Sequence, residues 1–205
     1  MFTRLSIPEG VRLVVLDLDG TLYRKPRMAW YMIRSQWRHL PSLIAERRYR
    51  RRQRRDLALR GKEGQKRNIL IEGQKETFSQ SWYRNSYLPA MVRIIAHHYK
   101  AEPWVQPMLN ECHRRGIKVA LLSDYEAALD KLLALHLNPD DFDCILSTGD
   151  FDTIKPDPHL GEILLQHLFP AGEKATDWQH TLFIGDRPDT DGKLAQALGA
   201  QYIQV

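Results

Sequence analysis

Asp17 and Asp19, one residue apart, end the apolar run that begins at Val11, and Gly20 and Thr21 follow at once. Ser123 and Asp124 end a second apolar run, Ile117 to Leu122. Lys155 lies in the segment TIKPDP, and Asp186, Asp189 and Asp191 follow a third run that closes at Gly185. Carboxylates crowded together repel, and they settle by sharing a proton or by taking up a hard cation. Mg²⁺ accepts oxygen ligands, keeps several waters and is commonly held by one or two carboxylates plus a substrate phosphate. Ser123 and Lys155 add donors for an anion beside that metal. A phosphate ester meets every part of this set. A carboxylate can attack phosphorus and form an aspartyl-phosphate, while the metal and Lys155 neutralise charge on the transferring oxygens.

The same residues have ordinary structural uses. Asp and Gly are frequent in turns. Ser123 or Asp189 can cap the helix that follows it, and Lys155 can be a loop lysine of little weight in folding. His97, His98, His113 and His159 have no metal-ligand spacing, and Trp30, Trp37, Trp82 and Trp104 read as packing residues.

For the clusters to meet, strands must carry them to one edge. The run from Val11 reads as a buried strand, and further strands are expected over Ile117–Leu122, Cys144–Leu146, Leu182–Ile184 and Tyr202–Val205. Helices are expected over Met108–Arg115, closed by Gly116, and over Tyr125–His136, with Leu129, Leu132 and Leu133 as its apolar stripe. Two more are expected at Leu160–Leu168 and Leu194–Leu198. Strands alternating with helices give a doubly wound α/β fold with a mainly parallel sheet. Ligands of such folds bind outside the carboxyl ends of the strands. GxGxxG and the P-loop are both absent, which removes those two nucleotide-binding routes.

Residues 24–100 interrupt the alternation with helical patterns and no convincing strand. A basic, aromatic segment from Met28 to His39 is followed by a break at Pro41, then by Glu46–Arg60. Gly61, Gly64 and Gly73 loosen the next stretch, and a helix is expected from Glu76 to Lys100 with Phe78, Trp82, Tyr87 and Met91 on its apolar side. Residues 24–75 hold 17 lysines and arginines against four acids, in a chain whose net charge is +5. Seven arginines fall between Arg47 and Arg55, all round a helix. Such a run is most often a solvated face; an anion-facing surface or a nucleic-acid contact are its functional uses.

The 205 residues suit one domain with an insertion, and a hydrophobic fraction of 43% supports a globular core. No stretch approaches the ~20 apolar residues of a membrane span, and the first residues lack the apolar stretch of a secretory signal. Cys112 and Cys144 form no CxxC. A cytoplasmic protein with two buried, unpaired cysteines and no membrane partner is expected. No feature sets an oligomeric state.

DLDGT at 17–21 resembles the first motif of the haloacid dehalogenase-like hydrolases, most of which are phosphatases. LLSD at 121–124, IKPDP at 154–158 and GDRPDTD at 185–191 resemble the second, third and longer fourth motifs, in order. The resemblance implies a Rossmann-like core with strand order 3-2-1-4-5, built from residues 1–23 and 101–205. It implies a helical cap at 24–100 that closes over the site. It makes Asp17 the nucleophile and Asp19 the general acid/base, and it puts Ser123 and Lys155 on the phosphate. Asp186 would hold Mg²⁺ together with the Asp17 carboxylate and the Asp19 main-chain carbonyl, with Asp191 near or on the metal. The expected function is a Mg²⁺-dependent phosphatase of a small phosphorylated metabolite. A phosphomutase would share every motif. A haloacid dehalogenase needs neither an acid/base at position 19 nor a metal, so Asp19 speaks against it. A nucleic-acid-binding protein that uses the arginine-rich cap is the less favoured alternative from another class.

Overall fold

The structure is a computed structural model that describes residues 5–60, 79–151, 153–169 and 177–205, and of residues 54 and 56–60 the backbone alone. The expected loop at Gly61, Gly64 and Gly73, and the expected helix start from Glu76 to Phe78, lie outside the described residues.

Five parallel strands form one sheet: β1 (Leu13–Leu16), β2 (Lys118–Ser123), β3 (Cys144–Ser147), β4 (Thr181–Gly185) and β5 (Gln201–Gln204). Their order, β3-β2-β1-β4-β5, is the expected one. Val14 and Leu16 pack on one side of the sheet with Val119, Leu121, Leu182 and Ile184. Leu13 and Val15 pack on the other with Ala120, Leu122 and Phe183. Because both faces of the parallel sheet are covered, the strands read as unbroken apolar runs rather than as alternating ones.

Residues 24–100 hold α1 (Met28–Ser35), a 3₁₀ turn at Trp37–His39 and α2 (Leu40–Arg60). A continuous helical run follows: α3 (Gln80–Trp82), a π turn at Tyr83–Tyr87 and α4 (Leu88–His98). Among the described residues this segment has no strand. Met32, Leu43, Tyr49, Trp82 and Ile95 join the hydrophobic cluster that contains Leu16. The buried side of the segment is thereby continuous with one face of the sheet. The same cluster takes in residues of α5 (Val105–Arg114) and α6 (Ala128–Ala134), while α7 (His159–Leu168) and α8 (Lys193–Leu198) cover the opposite face.

Three expectations need correction. The helix break comes at Gln36, before the 3₁₀ turn, and Pro41 lies in the first turn of α2, where its missing N–H would have had no helical partner. The apolar stripe on α6 is not Leu129, Leu132 and Leu133. Leu129 and Leu133 are 48% and 53% exposed, and the buried face is Ala128, Lys131 and Leu132, extended by Leu135. That is the i, i+3, i+4, i+7 spacing of one helix face, with a lysine inside it. Of the four tryptophans expected to pack, Trp82 and Trp104 are buried, whereas Trp30 and Trp37 are exposed. Both cysteines are free, Cys112 buried and Cys144 partly so. Among the described residues no helix is long and apolar enough to cross a membrane.

Candidate active site

Register brings the polar clusters together. Leu16 lies level with Leu121 and with Ile184, and Ser123 with Ser147. Asp17, Ser123 and Asp186 therefore come to the same edge of the sheet, at the carboxyl ends of its strands, where doubly wound folds bind ligands.

Lys155 crosses that edge and is 2% exposed. Its ammonium donates to Asp17 Oδ1 at 2.6 Å, to Asp191 Oδ1 at 2.7 Å and to the Leu122 carbonyl at 3.1 Å. Three acceptors match its three protons, so it is no incidental loop lysine. Burial works against its charge, but Asp17 and Asp191 outweigh burial and hold the amine above its usual pKa. The Thr21 hydroxyl donates to Asp17 Oδ2 at 2.7 Å and accepts the Asp186 N–H at 2.9 Å. Both oxygens of Asp17 are thereby fixed in place.

Asp17, Asp186 and Asp191 each offer an oxygen within 4.8 Å of the others. Burial raises the Asp186 carboxyl above the usual carboxylate range, with Lys25 opposing and Asp17 adding to the rise. Burial likewise pushes Asp191 up to about 6, with Lys155 opposing and Asp17 adding. Like charges this close resist ionising together.

Asp19 has its own partners. Lys131 donates to Oδ2 at 2.6 Å and the Tyr23 hydroxyl to Oδ1 at 2.6 Å. Burial disfavours the charged form, but Lys131 and then Tyr23 outweigh it and hold the carboxyl below its usual range. Burial, with the Asp19 charge behind it, keeps the Tyr23 phenol far above its ordinary value, so it serves as a donor. Lys25 hydrogen-bonds the Asp19 main-chain carbonyl and stands 3.8 Å from Asp186 Oδ2.

Ser123 is buried at the same edge, where its oxygen accepts the Tyr125 N–H at 3.1 Å, a local turn bond. Asp189 pairs with Arg187 outside the acidic cluster. Of the fourth-motif acids, Asp191 is the one beside Asp17 and Asp186.

The sequence does not single out Lys131, whose signal is its place in the buried spacing of α6, nor does it separate Arg50 from its run of arginines. The Arg50 guanidinium donates to the Asp124 carbonyl at 2.7 Å and to the Tyr83 hydroxyl at 2.8 Å. It also pairs with Glu46 and lies 3.6 Å over the Tyr125 ring. Arg47, Arg48, Arg51, Arg52 and Arg55 are exposed. Among the described side chains the run thus has one inward member, which ties α2 to the loop after β2.

A sequence profile of the haloacid dehalogenase-like hydrolases matches residues 11–199. The chain belongs to that family. Three solved structures show the family fold at low identity. One is a phosphoglycolate phosphatase, so assigned by prediction, from Haemophilus somnus 129pt, with TM-score 0.65 and 17% identity, covering 95% of this chain and 85% of that one. A second is the 2-haloacid dehalogenase of Pseudomonas syringae pv. Tomato DC3000, with TM-score 0.56, 22% identity and coverage of 95% and 86%. A third, from Thermotoga maritima, was put forward as a β-phosphoglucomutase, with TM-score 0.57, 20% identity and coverage of 95% and 85%. No curated protein sequence matches the chain.

Within this family member the acidic cluster fits a small hard cation. Its donors are all oxygens, the set Mg²⁺ prefers, and burial makes their charges costly without a cation. Two glycines let the cluster close up. A Cβ on Gly20, whose φ is +110°, would lie 2.2 Å from Asp186 Oδ2, and one on Gly185 would lie 2.3 Å from Asp191 Oδ2. Lys25 already bridges the Asp19 carbonyl and Asp186 with a positive charge.

Proposed function

We propose that this haloacid dehalogenase-like hydrolase is a Mg²⁺-dependent phosphatase of small phosphorylated molecules, acting through a phosphorylated Asp17. The observation that carries the reading is the Lys155 ammonium held at once by Asp17 and Asp191, beside Asp186. Those groups make a fixed carboxylate nucleophile next to a cation and an oxygen cage for a second one. Asp17, Asp186 and the Asp19 main-chain carbonyl would hold Mg²⁺, with Asp191 next to them. Bound there, Mg²⁺ neutralises charge on the transferring phosphoryl oxygens.

A carboxylate oxygen of Asp17 forms a bond to phosphorus as the ester P–O bond breaks, and the departing alkoxide takes a proton from Asp19. Water then attacks phosphorus, gives its proton to Asp19, and releases Asp17 and inorganic phosphate. Resting Asp19 is held in its ionised form by Lys131, the form suited to the second step. The first step requires Asp19 to gain a proton as substrate arrives. A haloacid dehalogenase has no use for a titrating group at position 19, and here that group has two dedicated partners. Residues 24–100 serve in this reading as the cap over the site.

The test is release of inorganic phosphate from a generic ester such as p-nitrophenyl phosphate in Mg²⁺, its loss in excess EDTA, and its loss in Asp17→Asn. Stoichiometric phosphate release separates hydrolysis from return of the group to substrate. Dechlorination of 2-chloropropionate with no phosphate release would overturn the reading.

A further inference from the structure

Where the helices of residues 24–100 meet the sheet edge they enclose a cavity of about 430 Å³, inside the ~300–1,000 Å³ range of small-molecule sites. Asp19 and Lys25, which touch each other, mark its catalytic end. Its walls are of another kind. Met28, Met32 and Ile33 come from α1, Leu40 and Leu43 from the start of α2, and Met91 from α4. Eight of the fifteen described lining residues are aliphatic or thioether side chains. Among the polar groups of the lining, the Tyr23 hydroxyl is committed to Asp19 and Glu46 is paired with Arg50, while Arg47, Tyr87 and Tyr125 complete the wall.

The chamber opens from the acid/base carboxylate, so it lies where the alcohol leaves. A sugar placed among Met28, Met32, Leu40 and Leu43 would set most of its hydroxyls against apolar side chains, losing water for few partners. A hydrocarbon would gain by the same burial. Resting on the phosphatase reading above, we infer that the substrate is a phosphate monoester of an apolar alcohol, its alkyl, prenyl or aryl group seated among Met28, Met32, Ile33, Leu40, Leu43 and Met91. The three methionines are flexible and polarisable, which suits chains of varied shape rather than one rigid outline. Ile33 and Leu40 are 46% and 39% exposed, so the apolar wall continues to the surface and leaves a path for a chain longer than the cavity.

The experiment is a series of ethyl, butyl, hexyl and octyl phosphates turned over in Mg²⁺ beside glucose 6-phosphate, with binding of the matching alkylphosphonates followed by calorimetry. The expected result is a kcat/KM that rises up to about fourfold per added methylene until the cavity is full, with glucose 6-phosphate below octyl phosphate. Ile33→Asn and Leu40→Asn, placed where partial exposure spares the fold, should flatten the slope. Turnover with no chain-length dependence, or with glucose 6-phosphate at least equal to octyl phosphate, overturns the inference and leaves the phosphatase reading standing. Phosphonate binding that tightens with chain length, without turnover of any ester, overturns the phosphatase reading and the substrate assignment with it.

Discussion

Lys131 Nζ and Asp19 Oδ2 lie 2.6 Å apart, joining a fully buried lysine on α6 to a carboxylate 112 residues earlier in the chain. A lysine in the interior of an apolar helix face loses its hydration, and Asp19 offsets part of that loss, burial still leaving the amine below its usual pKa. The pair ranks among the buried ion pairs whose disruption typically costs ~3–5 kcal/mol.

Lys131→Met should therefore change the chemistry as well as the fold. Without the ammonium, burial is left to raise the Asp19 carboxyl. Hydrolysis of the phosphorylated enzyme needs ionised Asp19 and fails as pH falls through that pKa, so the acid limb of kcat should move to higher pH in the variant. Its pH–rate profile beside that of the wild type is the measurement, and an unmoved limb in a folded variant would show that Lys131 does not set the charge of Asp19.

Asp19→Asn keeps the main-chain carbonyl offered to Mg²⁺ and removes the proton carrier. Turnover should fall by ~10²–10⁴-fold, the usual weight of general acid/base catalysis, with Mg²⁺ affinity nearly unchanged. Retention of more than half the wild-type kcat would remove Asp19 from the mechanism.

Lys155→Met leaves Asp17 and Asp191 facing each other without a counter-charge. Denaturant titration in EDTA should show a loss of about 3–5 kcal/mol, and Mg²⁺ should restore part of it. Phosphate and fluoroberyllate binding should weaken in the same variant. A melt in EDTA that matches the wild type contradicts the burial argument.

Lys25 and Mg²⁺ compete for the same oxygens. Lys25→Met should lower the Mg²⁺ concentration for half-maximal activity by at least about fivefold, since even unit charges 4 Å apart repel by ~1 kcal/mol in water-like surroundings and Mg²⁺ is divalent. A higher Mg²⁺ requirement would instead make Lys25 a partner of the loaded site.

Arg50 and its neighbours should separate cleanly. Arg50→Gln removes contacts to Glu46, Tyr83, Asp124 and Tyr125, and it should destabilise the protein by about 1–3 kcal/mol. The exposed Arg48, Arg51 and Arg52, changed together to Gln, should leave the melt within ~0.5 kcal/mol per site. In that triple variant, a fall in kcat/KM at low salt that vanishes at high salt would mark substrate steering. A fall in RNA affinity would mark nucleic-acid binding.

The sheet was legible because burial on both faces leaves β1, β2 and β4 as plain apolar runs. Asp17, Lys155 and Asp186 were legible because they stand where those runs and loops end. Lys131 was not, since a lysine in a seven-residue helix looks like surface until its distant partner is known. Arg50 was hidden by its own company, because seven arginines round one helix give no hint of which one turns inward. The start of α2 is hard to place because Pro41 reads as a break between helices, whereas the first turn of a helix accepts it.

Gly20 and Gly185 present no functional group, yet the acidic cluster closes through the space their missing side chains leave. A screen for lost activity should return both positions beside the aspartates. Relief by a neighbour giving way would move the Asp186 or Asp191 carboxylate, and beside Gly20 the Lys25 ammonium, out of the arrangement described above. The site is thus as sensitive to a single added methyl group as to a lost charge.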